Sequence, residues 1–129
     1  MIAVDPNVIV RYLIGDHPEQ SAKAKTIIDN QEIFVSVTVL LETEWVLRST
    51  YGQGRTALAK GLRRLGGLAH VTIEEASVVA EALHWMESGM DFADALHLAK
   101  ATHCDAFVTF DQRLLKTANQ LGVSKVRTP

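Results

Sequence analysis

The sequence lacks most of the features that announce a function. One cysteine, Cys104, among 129 residues excludes an intramolecular disulfide and a cysteine-rich zinc site. Nowhere do charges stay away for the ~20 residues that a membrane-spanning helix requires. Met1 to Asp5 carry neither the basic nor the long apolar segment of a signal peptide, so the expectation is a soluble, cytoplasmic protein with no membrane partner. Thirteen basic residues against fifteen acids leave a formal charge of −2, which excludes a uniformly basic nucleic-acid clamp. Glycine-rich phosphate loops are missing, and no Cys-His pair or Gly-x-Ser-x-Gly elbow suggests nucleophilic catalysis. His17, His70, His84 and His103 share no metal-ligand spacing, so zinc and nucleophilic catalysis have no support.

What is present is a regular alternation. Apolar runs rich in Ile and Val alternate with longer segments of helical period, the signature of β-α units around a mostly parallel sheet. The length suits one domain, residues 1–129, able to bury roughly two-thirds of its unfolded surface. Strands are predicted at Ile2 to Val4, Ile33 to Val35, Ala69 to Ile73, Ala106 to Phe110 and near Lys125 to Arg127. The first helix starts at Pro6 with Asp5 as its cap and runs to Gly15. Asp16-His17-Pro18 repeats that start signal for a helix to about Asn30. Ser36 or Thr38 can cap the next, which reaches about Tyr51. Further helices are predicted over Arg55 to Leu65, Glu74 to Ser88, Asp91 to His103 and Gln112 to Leu121.

This order places four acids. In a parallel sheet all strands end at one edge, and every crossover helix begins there. Asp5 and Asp111 follow strands directly, Asp94 lies in the first turn of a helix, and Glu42 stands one to two turns into the helix after the second strand. All four therefore belong at the carboxyl edge. Like charges gathered there repel unless a cation neutralises them, and hard oxygen donors suit Mg²⁺ or Mn²⁺. Such a centre can ionise a water and hold a phosphate. The blander account is helix capping, which would explain Asp5, Asp91 and Asp111 singly but not their common edge. Glu44 has Arg48 four residues on and suits a surface ion pair, whereas Glu42 has no such partner. His97, one turn after Asp94, reads as an electrostatic partner of a nearby acid.

The stretches "IAVDPNVIVRYL", "VTVLLETEWVL", "DFADALHLAKA" and "FVTFDQRL", in this order and spacing, resemble the PIN-domain family, specifically the VapC-type toxins of bacterial toxin–antitoxin pairs. The resemblance spans essentially the whole chain. It implies a three-layer α/β fold with a five-stranded, mostly parallel sheet between helices. It also implies an Mg²⁺-dependent endoribonuclease in which Asp5, Glu42, Asp94 and Asp111 bind metal while Asn7 and Thr109 support them by hydrogen bonding. The implied substrate is RNA, such as a tRNA or ribosomal RNA loop or an mRNA. The implied partners are a VapB-type antitoxin and a second copy of the chain. Two departures stand out: Pro6 replaces the Thr or Ser often found between Asp5 and Asn7, and His97 replaces an aliphatic residue.

Between Glu44 and Glu74 there is no acid, while Arg48, Arg55, Lys60, Arg63 and Arg64 fall inside that gap. These bases either follow RNA phosphates or solvate a helical hairpin. Two rival readings remain open. A receiver or phosphatase-like α/β domain also gathers acids at a sheet edge, but this chain offers Asp5-Pro6-Asn7 where Asp-x-Asp is wanted. A catalytically silent PIN module that only binds protein or RNA would be expected to have lost one of the acids.

Overall fold

The computed structural model describes residues 1–123 and 125–129, and these form two compact units, Met1–Ala76 and Ser77–Pro129. The fold is α/β. Among the described residues there are seven helices and five strands, and every strand pairing is parallel. The five strands fall into two sheets, one of three strands and one of two, where a single sheet was expected. The strands are only two or three residues long, so each ladder rests on a few main-chain bonds.

In the first unit, β1 (Ile2–Ala3), β2 (Ile33–Val35) and β3 (Val71–Ile73) pair in that order, Ile2 against Ile33 and Ile33 against Val71. β2 is central, which is why Ile33 and Val35 are fully buried. Helices α1 (Pro6–Ile14), α2 (Pro18–Asn30), α3 (Val37–Ser49) and α4 (Arg55–Gly66) fill the connections. α1 packs on α2 and on α3 through the buried Ile9 and Val10. Gly15 ends α1 in the left-handed region, φ 71°, and its N–H returns to the Arg11 carbonyl at 3.1 Å, a conformation that costs a side chain little only when it is glycine. Arg11 then ties three segments together. Its guanidinium donates to Gln20 at 2.8 Å and Tyr51 at 3.1 Å and pairs with Asp16 at 3.5 Å.

The second unit carries α5 (Ala76–Glu87, whose first residue closes the first unit), α6 (Phe92–Ala99), β4 (Phe107–Val108), α7 (Gln112–Gln120) and β5 (Val126–Arg127). β4 pairs with β5, Phe107 against Val126. Phe92, Ala95, Leu96, Leu98 and Ala99 of α6 are buried.

The start signal Asp16-His17-Pro18 puts His17 in the cap position of α2, its Nδ1 accepting from Gln20 N–H at 3.2 Å, while Asp16 is engaged by Arg11 and Tyr51. Three details differ from the expected elements. α3 stops at Ser49 instead of Tyr51. α6 stops at Ala99 instead of His103: Ala101 N–H bonds back to Leu98 and Cys104 N–H to Ala101, three-residue returns that tighten the chain out of the α-helix. α5 begins at Ala76 instead of Glu74, since Glu74 N–H continues the β ladder to the Val35 carbonyl at 2.9 Å and Glu75 turns through φ 50°. Cys104 is a free, half-buried thiol. No helix among the described residues is long and apolar enough to cross a membrane.

Candidate functional site

Asp5 follows β1 at the carboxyl end of the three-stranded sheet and occupies the cap position of α1 with extended backbone, φ −81° and ψ 157°. Its side chain nevertheless accepts no cap bond. The expected capping duty of Asp5 is therefore absent, and its exposed carboxylate is free for other use. Asn7, also exposed, lies beside it in the first turn.

Glu42 is the sixth residue of α3, a helix that starts two residues after β2, so it lies about 7.5 Å along the axis from the sheet's carboxyl edge. It is exposed and, among the described residues, makes no hydrogen bond or ion pair. Glu44 is the reverse. It is 2% exposed and accepts from Arg48 Nε at 2.8 Å. The pairing is the expected one, but it is not a surface pair: Glu44 sits on the buried stripe of α3 with Leu40, Thr43 and Leu47, two residues and about 200° round the helix from Glu42.

The start of α3 is held from two directions. Ser36 Oγ accepts from Val39 N–H at 3.2 Å, and Glu74 Oε1 accepts from Val37 N–H at 2.8 Å. Sequence reasoning overlooked Glu74. The signal was available, since Glu74 directly follows β3 just as Asp111 closely follows β4.

In the second unit, Asp91 caps α6, its Oδ2 accepting from Asp94 N–H at 3.2 Å. Asp94 is half-buried, and its pKa is raised: burial contributes most, the charges of Asp91 and Asp111 add to it, and His97 opposes them. Asp111 caps α7, with Oδ1 accepting from Arg113 N–H at 2.9 Å and Leu114 N–H at 3.1 Å. Thr109 Oγ1 accepts the N–H of Asp111 at 3.0 Å, so the threonine fixes the backbone that carries this acid.

Every candidate donor is a carboxylate oxygen, and the crowding around Asp94 is the kind that a divalent cation relieves, so the donor chemistry fits a hard ion. Among the described residues, no three His, Cys, Asp or Glu side chains are gathered closely enough to hold a metal ion by themselves. Of the basic residues, Arg48 is engaged by Glu44, Arg55 opens α4, and Arg63 and Arg64 lie exposed in its last turn, where cations complement the helix dipole.

A family model for the PIN domain matches residues 2–120, nearly the full chain. The chain belongs to the PIN-domain family. PIN domains are typically metal-dependent nucleases acting on nucleic acid, and they commonly use a divalent ion. No curated protein compared with the chain matches it.

Proposed function

We propose that this PIN domain is a metal-dependent endoribonuclease of the VapC toxin type, with Asp5, Glu42, Asp94 and Asp111 as its metal-holding acids. One observation carries the reading: Asp5 stands where a cap is wanted, yet its carboxylate caps nothing. Glu42, equally without a partner, strengthens it. A family match that runs through both units supports residues 1–129 working as one nuclease domain.

When bound, Mg²⁺ or Mn²⁺ would acidify an attacking water and neutralise charge at the phosphate. The chain's own residues prepare for that. Asp111 is oriented through Oδ1 and through Thr109, and Oδ2 takes no part in these bonds. The ionised form of Asp94 is disfavoured by burial and by its acidic neighbours and gains from added positive charge. Asn7, in the first turn of α1, would support the loaded site beside Asp5, although no hydrogen bond joins the two side chains among the described residues. Water attacks phosphorus, the P–O3′ bond breaks, and the ends are 5′-phosphate and 3′-hydroxyl. Arg55, Arg63 and Arg64 contact RNA phosphates, with Arg48 contributing less because Glu44 holds it. The substrate is an RNA loop or an mRNA, and the partners are a VapB-type antitoxin and a second copy.

Incubation of the purified protein with bacterial RNA, followed by end-group analysis, tests the proposal. Cleavage that needs Mg²⁺ or Mn²⁺, stops with EDTA and leaves 5′-phosphates is expected. Cyclic 2′,3′-phosphate ends, or cleavage that survives EDTA, would overturn it.

A further inference from the structure

We infer that Glu74 is a positioning residue for Glu42, acting through the N-terminus of α3; the role rests on the nuclease reading above. A helix leaves its first N–H groups without partners inside the helix. In α3 the Val39 N–H is taken by Ser36 Oγ at 3.2 Å and the Leu40 N–H by the Ser36 carbonyl at 3.0 Å. Neither reaches Val37. That N–H is taken at 2.8 Å by Glu74, 37 residues away in sequence, in a part-buried bond.

Glu74 is suited to this task because its own backbone is fixed. Its N–H donates to the Val35 carbonyl at 2.9 Å, which carries the β2–β3 ladder one residue beyond Ile73. Glu75 then turns at φ 50°, a conformation that a non-glycine residue adopts only when its surroundings enforce it. The Glu74 carboxylate is thus anchored by main chain at the sheet's carboxyl edge and grips the positive end of α3 with a charge-assisted bond. Downstream, α3 is held along its buried stripe by Leu40, Thr43, Glu44 and Leu47. Glu42 lies on the exposed side, five residues past Val37 and between the buried Leu40 and Thr43. Loosening the first turn shifts or tilts the segment that carries Glu42, while the core contacts of the later turns keep the helix formed.

The test compares Glu74→Ala with Glu74→Gln, which keeps an acceptor of the same reach. Three quantities are read: amide hydrogen exchange in α3, Mn²⁺ affinity, and kcat and KM on RNA. Glu74→Ala is expected to speed exchange at Val37 and its neighbours while leaving α1 and α4 unchanged. It should also weaken Mn²⁺ binding and lower kcat by about tenfold, the low end of what losing a supporting group costs a metal site, with KM within about twofold. Glu74→Gln should restore most of each. Should Glu74→Ala fail to fold, Glu74→Asp, which draws the carboxylate back by one methylene, is expected to move the same quantities the same way. Unchanged exchange and kcat in Glu74→Ala, or a Glu74→Gln protein as impaired as Glu74→Ala, would overturn the role. A wild type that neither cuts RNA nor binds Mn²⁺ would sink the nuclease reading. Faster exchange in α3 would then mark Glu74 as a helix cap alone, so the two failures are distinguishable.

Discussion

The candidate acids of the two units are employed differently. In Met1–Ala76, Asp5 and Glu42 do no structural work: one sits in a cap position without capping, and the other is exposed without a partner. In Ser77–Pro129, Asp111 caps α7 with two bonds, while Asp94 is half-buried among like charges, close to Asp91 and Asp111. A carboxylate that contributes nothing to the fold can be substituted without disturbing it, so a loss of activity reads its function alone. One that also supports a helix must be tested by substitutions that separate its two duties.

The largest effect expected is on activity. Asp5→Asn, Glu42→Gln, Asp94→Asn and Asp111→Asn should each reduce cleavage by more than the roughly hundredfold that losing an outer partner of a metal site can cost, with circular dichroism unchanged. A normally active Asp5→Asn protein would remove Asp5 from the proposed acids. Next in size, Arg63→Ala combined with Arg64→Ala should weaken RNA binding and reduce the slope of log affinity against log salt by about 1.4 for single-stranded RNA. An unchanged slope would assign these residues to the helix end alone.

Smaller effects concern stability and separate the units more finely. Asp111→Ala should cost about 1 kcal/mol through the lost cap, whereas Asp111→Asn, itself a good cap, should cost little. Asp5→Ala should cost nothing comparable, and chemical denaturation of the three proteins reads the difference. Glu44→Gln should cut near the wild-type rate per folded molecule yet lose on the order of 1 kcal/mol of stability, because it weakens a buried charged hydrogen bond. The smallest effect has a definite sign. Asp94 has its folded-state pKa raised above 3.8, so the stability associated with its protonated form is present below that value and lost as pH rises through the higher folded-state pKa. Asp94→Asn should therefore melt slightly higher than wild type in metal-free buffer near neutral pH, with the gap closing in acid. A gap that widens in acid would contradict the cited causes.

Much of this was legible from residue order. Ile33-Phe34-Val35 read as a buried strand and Pro6 as a helix start because period and proline geometry are local properties, and the structure has both. The split between Glu42 and Glu44 also followed from a local rule, the i,i+4 spacing to Arg48. What escaped depended on packing or on distant partners. The depth of Glu44 is set by which stripe of α3 faces the core. The partners of Asp16 are a guanidinium on α1 and the Tyr51 hydroxyl beyond α3. Glu74 reads locally as a helix start, but its partners Val35 and Val37 lie on the neighbouring strand and the helix after it.

The central claim is that Asp5, Glu42, Asp94 and Asp111 are the metal-holding acids. Calorimetric titration of Mn²⁺ into the RNA-free wild type and into the Asp5→Asn, Glu42→Gln, Asp94→Asn and Asp111→Asn proteins tests it most directly. All four substitutions are expected to weaken the same binding event. Wild-type affinity retained in Asp5→Asn and Glu42→Gln, with loss only in Asp94→Asn and Asp111→Asn, would contradict the assignment of Asp5 and Glu42.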